Sequence, residues 1–190
     1  MNQKLQPIVI LPKAQFPGKI ITVEKDSDIA PALALLQNQD HVGFDTETKP
    51  SFKKGEFYHV SLLQLASDEY AILFRLHFLT DFSLIKMFME DAGVRKIGVA
   101  IRDDIKSLQK VFNFEARNFI ELADMAKTAN LKNFGLKGMT EEVLKQTLSK
   151  KAKLSNWESP ILKTDQLRYA ATDAWVGLAL YHAITKFSEN

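Results

Sequence analysis

The sequence of 190 residues contains no cysteine, which excludes several classes of site at once. Disulfide bonds, zinc sites with thiolate ligands and thiol nucleophiles all need that side chain. The sequence also lacks any stretch approaching the roughly 20 apolar residues of a membrane span, and its amino terminus has no apolar signal-peptide core. We therefore expect a cytoplasmic protein that does not associate with membranes.

An excess of charge of one sign is missing as well. The 25 Lys and Arg residues nearly balance the 23 Asp and Glu residues, which leaves a formal net charge of +2. A protein that binds nucleic acid through electrostatics alone is usually more basic, so the net charge permits such binding without indicating it. The phosphate motif G-x-x-x-x-G-K-[ST] and the nucleophile motif G-x-S-x-G do not occur.

The pattern of apolar residues predicts a single α/β domain with a mixed β-sheet flanked by helices. We expect an irregular N-terminal arm over residues 1–17, which carry three prolines, and a folded domain over residues 18–190. The predicted strands span residues 19–24, 42–48, 60–66, 70–76, 96–101 and 119–122. The predicted helices begin near residue 28 and then cover residues 81–89, 103–112, 123–129, 136–148 and 164–186.

The segment from Val42 to Thr48 runs from apolar residues directly into two carboxylates, Asp45 and Glu47. Side chains alternate between the faces of a strand, so these two acids point the same way. Two adjacent anions repel each other and are costly to bury unless a cation compensates them. The pair is therefore a candidate seat for a hard divalent metal, although two solvated acids at a strand end are the alternative interpretation.

Two later helices place further acids on faces that should point to the core. Asp104 shares a helical stripe with apolar neighbours, whereas Asp103 lies off that stripe. Tyr169 and Asp173 are four residues apart on the last helix, so their side chains point to the same place. Helix capping could also explain Asp104, and a core tyrosine bonded to an aspartate could explain the second pair.

Considered together, the four carboxylates of Asp45, Glu47, Asp104 and Asp173 favour a metal centre. If they meet, their mutual repulsion requires divalent cations. Two such ions about 4 Å apart can stabilise both the attacking and the leaving oxygen of a phosphodiester displacement. Ligands that are all oxygen favour Mg²⁺ or Mn²⁺ over zinc.

Three short motifs of the sequence resemble those of the DEDD superfamily of exonucleases. They are FDTE at residues 44–47, GVAIRDD at 98–104 and YAATDA at 169–174. A tyrosine four residues before the last aspartate marks the tyrosine type, since the histidine type has His at the position of Arg168. Together with SNW at 155–157, the motifs are most similar to the ribonuclease D family and the exonuclease domain of the Werner syndrome protein.

The resemblance implies a ribonuclease H-like fold with Asp45 on the central strand. It also implies 3′–5′ exonuclease activity that needs two Mg²⁺ or Mn²⁺ ions, acts on nucleic acid with a free 3′ end and releases nucleoside 5′-monophosphates. By the same resemblance, Asp45 contacts both ions, Glu47 and Asp173 hold the first, and Asp104 supports the second through water. Tyr169 would orient the attacking water, since a phenol with a pKa near 10 is a poor base at neutral pH.

Contacts with the substrate are predicted less directly. Single-stranded DNA or RNA is the expected substrate, and lysines flanking the motifs could contact its phosphates while an aromatic ring stacks on a base. A solvated lysine face is the alternative. The candidates are Thr46, Phe52, Lys53, Lys54, Lys150, Lys151, Lys153, Trp157 and Lys163.

Two function classes follow from these observations. The first is a metal-dependent exonuclease, expected to be a stand-alone catalytic domain because no helicase segment or helical RNA-binding extension accompanies the motifs. The second is a non-catalytic nucleic-acid-binding domain that retains the fold. A binding domain gains nothing from four anions that face a phosphate, which favours the enzyme.

Overall fold

The computed structural model describes residues 10–149 and 151–188, with a six-stranded mixed β-sheet at the centre. The strands are β1 (Lys19–Val23), β2 (His41–Thr48), β3 (Val60–Ala66), β4 (Tyr70–Arg75), β5 (Arg95–Gly98) and β6 (Phe119–Glu121). Their order across the sheet is β1-β4-β3-β2-β5-β6. Strand β3 is antiparallel to β2 and β4, and the remaining neighbours are parallel. The predicted mixed sheet is confirmed, and the strands predicted at residues 60–66 and 70–76 pair with each other as β3 and β4.

Helices cover both faces of this sheet. They are α1 (Ile29–Ala34), α2 (Ser83–Glu90), α3 (Ile101–Leu108), α4 (Leu122–Thr128), α5 (Leu136–Met139) and α6 (Thr164–Ser188). Apolar residues of α1, α2 and α3 pack with Val42, Phe44 and Leu65 on one face. Helices α4 and α6 pack together through Leu122, Val176 and Leu180 on the other face. No helix in the described ranges is long and apolar enough to cross a membrane.

Glycines let helix α6 lie close to the sheet. A β-carbon on Gly43 of β2 would overlap the carbonyl oxygen of Ala174 in α6. On the helix side, a β-carbon on Gly177 would lie 3.3 Å from the carbonyl oxygen of Ile97. Glycine is thus required at residue 43, and a β-carbon at residue 177 would make a tight contact. This close approach brings the side chains of α6 within reach of those at the end of β2.

One predicted boundary is wrong where β5 meets α3. The strand predicted for residues 96–101 ends at Gly98, and the helix predicted to begin at residue 103 begins at Ile101. Between them, Ala100 adopts a left-handed conformation with φ of 60°, which alanine seldom does. This sharp turn replaces the last residues of the predicted strand and swings α3 across the end of β2.

The helix predicted for residues 136–148 is also wrong in its second half. Regular α-helical geometry ends at Met139, and a π-helical turn at Thr140–Leu144 follows it. The Thr140 hydroxyl donates a hydrogen bond to the Leu136 carbonyl at 2.6 Å, and such bonds compete with the regular helical ladder. The turn ends at Lys145, where φ is 55°.

The described part of the N-terminal arm packs against the domain. Lys13 forms an isolated parallel β-bridge with Thr147, and Phe16 is buried against Trp175 with ring centroids 6.1 Å apart. Residues 1–9 of the predicted arm lie outside the described residues, as does Lys150.

Candidate metal centre

The first two acids of the centre lie on the central strand. In β2, Asp45 pairs with Gln64 of β3 and Glu47 pairs with Leu62, so both acids are on the same face of the sheet. That face packs against α6, whereas Phe44, next to Asp45 in the strand, belongs to the opposite face and packs in the core below it. The alternation expected for a strand therefore points both carboxylates at α6.

Helix α6 supplies the third acid and a tyrosine. Asp173 completes a cluster in which one carboxylate oxygen from each of Asp45, Glu47 and Asp173 lies within 4.8 Å of the others. Tyr169 lies one turn before Asp173 on the same side of α6, and its hydroxyl lowers the pKa of Asp173. Trp157 packs behind this tyrosine, with ring centroids 6.1 Å apart and the rings inclined by 36°.

Asp104 reaches the centre from the opposite helical layer. The Thr46 hydroxyl donates a hydrogen bond to Asp104 Oδ1 at 2.6 Å, and the Thr46 N–H donates to Asp45 Oδ1 at 2.9 Å. One residue of β2 therefore links two of the acids. Asp103 is exposed to solvent, so helix α3 starts in the phase that the apolar stripe predicts.

Sequence reasoning missed Glu121, whose carboxylate holds the turn before Asp104. Its two oxygens accept hydrogen bonds from the N–H groups of Ala100 and Ile101, both at 3.0 Å, and of Ala123 at 3.1 Å. These bonds satisfy donors at the start of α3 and α4 that have no helical partner. The sequence pattern that identified Asp104, an acid at the junction of an apolar strand and a helix, also occurs at Glu121 and could have identified it.

Burial raises the pKa of each carboxyl group in the centre, and like charge raises it further for Asp45, Glu47 and Asp104. Burial, followed by repulsion from Asp45 and Asp173, raises the pKa of Glu47 to about 9. Burial raises the pKa of Asp173 to about 7 and holds that of Asp45 well above its usual range. Burial also raises the pKa of Asp104, against the effect of the Thr46 hydrogen bond. At neutral pH the centre therefore retains protons unless cations replace them.

A cavity of about 430 Å³ opens onto these acids. Asp45, Glu47, Tyr169 and Asp173 line it, together with the glycine-containing segment 135–138. Lys153 also lines the cavity, and its charge lowers the pKa of the three clustered carboxyl groups. A lysine facing this cluster partly offsets its negative charge.

The other residues predicted to contact the substrate lie in different environments. Trp157 is fully buried, so the prediction that it stacks on a base is wrong; its ring instead supports Tyr169. Lys53 and Lys54 are exposed on the loop after β2, and Lys53 lies 4.0 Å from Glu56. Thr46 lines the cavity while its hydroxyl holds Asp104.

The donor set of the centre fits a hard divalent metal. Every candidate ligand is a carboxylate oxygen, and such ligands suit Mg²⁺ and Mn²⁺ better than softer metals. The raised pKa values show that protein groups alone leave the negative charge undercompensated. Asp45, Glu47 and Asp173 could hold one ion together. Asp104 lies outside this cluster and is linked to it through Thr46.

Comparisons with known proteins agree with this geometry. A family model described as 3′–5′ exonuclease matches residues 20–188. The mouse bifunctional 3′–5′ exonuclease/ATP-dependent helicase WRN is 35% identical over an alignment of 184 residues, and the alignment covers 92% of this chain and 13% of the mouse protein. Ribonuclease D of Haemophilus influenzae is 28% identical over an alignment of 182 residues, and the alignment covers 94% of this chain and 45% of that protein.

A solved structure shows the same architecture. The EXO domain of Aedes aegypti Nibbler superposes with a TM-score of 0.83 at 24% identity, covering 92% of both chains. This chain spans only 13% of the mouse protein and 41% of the "Putative 3′–5′ exonuclease R431" of Acanthamoeba polyphaga mimivirus. Since the family model matches residues 20–188, the chain belongs to the 3′–5′ exonuclease family.

Proposed function

We propose that this protein is a metal-dependent 3′–5′ exonuclease that hydrolyses phosphodiester bonds from the 3′ end of a nucleic acid and releases nucleoside 5′-monophosphates. The observation that carries the proposal is the cluster of Asp45, Glu47 and Asp173, whose carboxylate oxygens lie within 4.8 Å of one another. Such a cluster can be fully ionised only beside cations. Membership of the exonuclease family supports the same conclusion.

The four acids would divide the work of holding two Mg²⁺ or Mn²⁺ ions. Asp45 is central and would contact both ions, Glu47 and Asp173 would complete the first site, and Asp104 would support the second through water. When bound, two such ions stabilise the attacking and the leaving oxygen of a phosphodiester displacement. The Thr46 hydroxyl, 2.6 Å from Asp104 Oδ1, sets the position of that carboxylate.

Tyr169 would position the attacking water as a hydrogen-bonding group. Burial, followed by the charges of Asp173 and Glu47, raises the pKa of its phenol above the usual value. The hydroxyl therefore keeps its proton at neutral pH and cannot act as a general base there. The buried ring of Trp157 behind it restricts its movement.

A single strand is the substrate that the surface beside the centre suits best. On the loop after β2, the side chains of Phe52 and Phe57 are 79% and 92% exposed, with Lys53 and Lys54 between them. Exposed rings interspersed with lysines bind unpaired bases and phosphates. A ribonuclease D of Trypanosoma brucei with the same fold has been solved in complex with RNA U12 (TM-score 0.76, 17% identity).

The test is digestion of 5′-labelled single-stranded DNA and RNA of one sequence, with Mg²⁺, with Mn²⁺ and with EDTA. We expect a ladder that shortens from the 3′ end, mononucleotide 5′-phosphates as products, and no reaction in EDTA. Asp45→Ala should abolish cleavage, whereas Asp40→Ala, which removes an exposed acid just before the same strand, should not.

A readout that does not depend on turnover separates the two candidate functions. Mn²⁺ should raise the melting temperature of the wild-type protein and of the Asp40→Ala variant more than that of Asp45→Ala. Tight binding of oligonucleotide without cleavage under all of these conditions would contradict the proposal. That result would support the non-catalytic binding domain.

A further inference from the structure

A second cavity, of about 250 Å³, adjoins the metal centre on the other side of Tyr169. The two cavities share Leu148, Ser149, Tyr169 and Asp173 as walls. A ligand that fills the first cavity at the acids can therefore extend into the second without leaving the protein surface. The proposed substrate is a polymer with a phosphate at every residue, so its second phosphate must lie near the first.

Three cations from distant parts of the chain line this second cavity. Lys13 comes from the N-terminal arm, Lys151 from the segment before α6, and Arg168 from α6 itself. All three are exposed to solvent at the cavity. Asp165 and Asp173 are the acids in the wall, and Asp173 belongs to the proposed metal site, where bound cations would offset its charge. With metal bound, the cavity therefore carries an excess of positive charge.

The backbone around two of these cations is held in place by hydrogen bonds. The Ala14 N–H donates to the Thr147 carbonyl and the Thr147 N–H donates to the Pro12 carbonyl, both at 2.9 Å. These bonds fasten the arm on either side of Lys13. The Phe16 N–H donates to the Thr172 hydroxyl at 3.1 Å, which in turn donates to the Arg168 carbonyl at 2.6 Å. The arm is thus joined to the helical turn that carries Arg168.

We propose that Lys13, Lys151 and Arg168 form a subsite for the backbone phosphate on the 5′ side of the scissile bond. An exonuclease that removes the last nucleotide leaves the rest of the strand on that side, and the adjoining cavity carries the charge that this strand needs. Guanidinium and ammonium groups bind phosphate through charge-assisted hydrogen bonds. The proposal rests on the proposed function, because that function defines which phosphate is cut.

The kinetic test compares two dinucleotides that differ by one phosphate, one with a 5′-phosphate and one with a 5′-hydroxyl. We expect the wild-type KM to be lower for the phosphorylated dinucleotide by about 10-fold, the scale of one charge-assisted contact. In the triple variant Lys13→Ala, Lys151→Ala, Arg168→Ala, the two KM values should approach each other. The control variant carries the same change of charge through Lys19→Ala, Lys25→Ala and Lys110→Ala, exposed lysines outside both cavities; it should keep the wild-type ratio.

A binding test in EDTA makes the result independent of catalysis. The logarithm of the affinity for a labelled 10-nucleotide single strand is measured against the logarithm of salt concentration. Each lost phosphate contact should flatten the slope by about 0.7, so the triple variant, which loses one proposed phosphate subsite, should differ from the control by about 0.7.

These measurements separate failure of the subsite from failure of the proposed function. If the wild-type protein cleaves but the triple variant matches the control in both measurements, the subsite is wrong and the exonuclease assignment stands. If the slope flattens but the KM ratio persists, the cations bind nucleic acid elsewhere along the strand, and the placement beside the scissile bond is wrong. If no variant cleaves, a flattened slope still supports a phosphate-binding cavity, and an unchanged slope overturns it.

Discussion

Replacing Glu47 by Gln should make the metal-free protein more stable at neutral pH while removing its activity. Burial and the neighbouring acids raise the pKa of Glu47 from 4.5 to about 9. Between these two values the folded protein binds a proton that the unfolded chain has lost. The free energy of unfolding therefore decreases as the pH rises through this window. Glutamine has no proton to lose and escapes this penalty.

The size of the effect follows from the distance between the assay pH and the pKa of the unfolded chain. An assay at pH 7.5 lies 3 pH units above the pKa of 4.5 in the unfolded chain. Each unit corresponds to about 1.4 kcal/mol, so the gain in the free energy of unfolding has an upper bound of about 4 kcal/mol. Proton sharing with Asp45 and water in the open cavity reduce this gain, so we expect Glu47→Gln to stabilise the metal-free protein by about 2–4 kcal/mol. In a domain of this length the melting temperature should rise by roughly 5–12 °C. At pH 5 the gain should fall below about 1 kcal/mol.

Urea unfolding at pH 5.0 and pH 7.5 in EDTA measures both values. Glu69→Gln, a substitution of an exposed glutamate in the turn before β4, should change stability by no more than about 0.5 kcal/mol at either pH. Adding Mn²⁺ should stabilise the wild-type protein and Glu69→Gln more than Glu47→Gln. If Glu47→Gln destabilises the metal-free protein at pH 7.5, or stabilises it equally at both pH values, the ionisation of a buried Glu47 is not what limits the stability of the metal-free protein.

The remaining predictions concern the residues around this acid. Asp104→Asn should lower kcat by at least about 100-fold, whereas Asp103→Asn should leave it within a few-fold; steady-state assays at saturating Mg²⁺ decide, and the reverse order would place the second motif wrongly. Tyr169→Phe should lower kcat by roughly 10- to 1,000-fold with little change in Mn²⁺ affinity, since the phenol is proposed as a positioning group and an equal loss of Mn²⁺ binding would make it a ligand. Glu121→Gln should reduce stability by about 1–2 kcal/mol and lower kcat, because fewer N–H groups at the start of α3 are held. Its effect on kcat should disappear in an Asp104→Asn background if Glu121 acts through Asp104, whereas an additive loss would show a separate role.

Local sequence patterns by themselves determined much of the metal centre. Alternation along a strand placed Asp45 and Glu47 on one face, and a spacing of four residues placed Tyr169 beside Asp173. Helical phase chose Asp104 over Asp103, and the structure shows Asp104 bonded to Thr46 while Asp103 is exposed. These inferences succeed because the periods of strands and helices are properties of the backbone and hold within any single element.

Only the tertiary structure decided which distant segments meet. The hydrogen bonds between Glu121 and the turn at Ala100 depend on β6 lying beside β5. Lys153 faces the acids only because the segment before α6 folds back over them. The sequence offers Trp157, beside Phe52, as a ring that could stack on a base, yet that segment buries Trp157 behind Tyr169. It predicts an irregular arm, yet bonds to Thr147 and Thr172 place Lys13 beside the centre. A sequence pattern records the periodicity of one element, whereas contacts such as these are set by strand order, loop paths and close packing between elements.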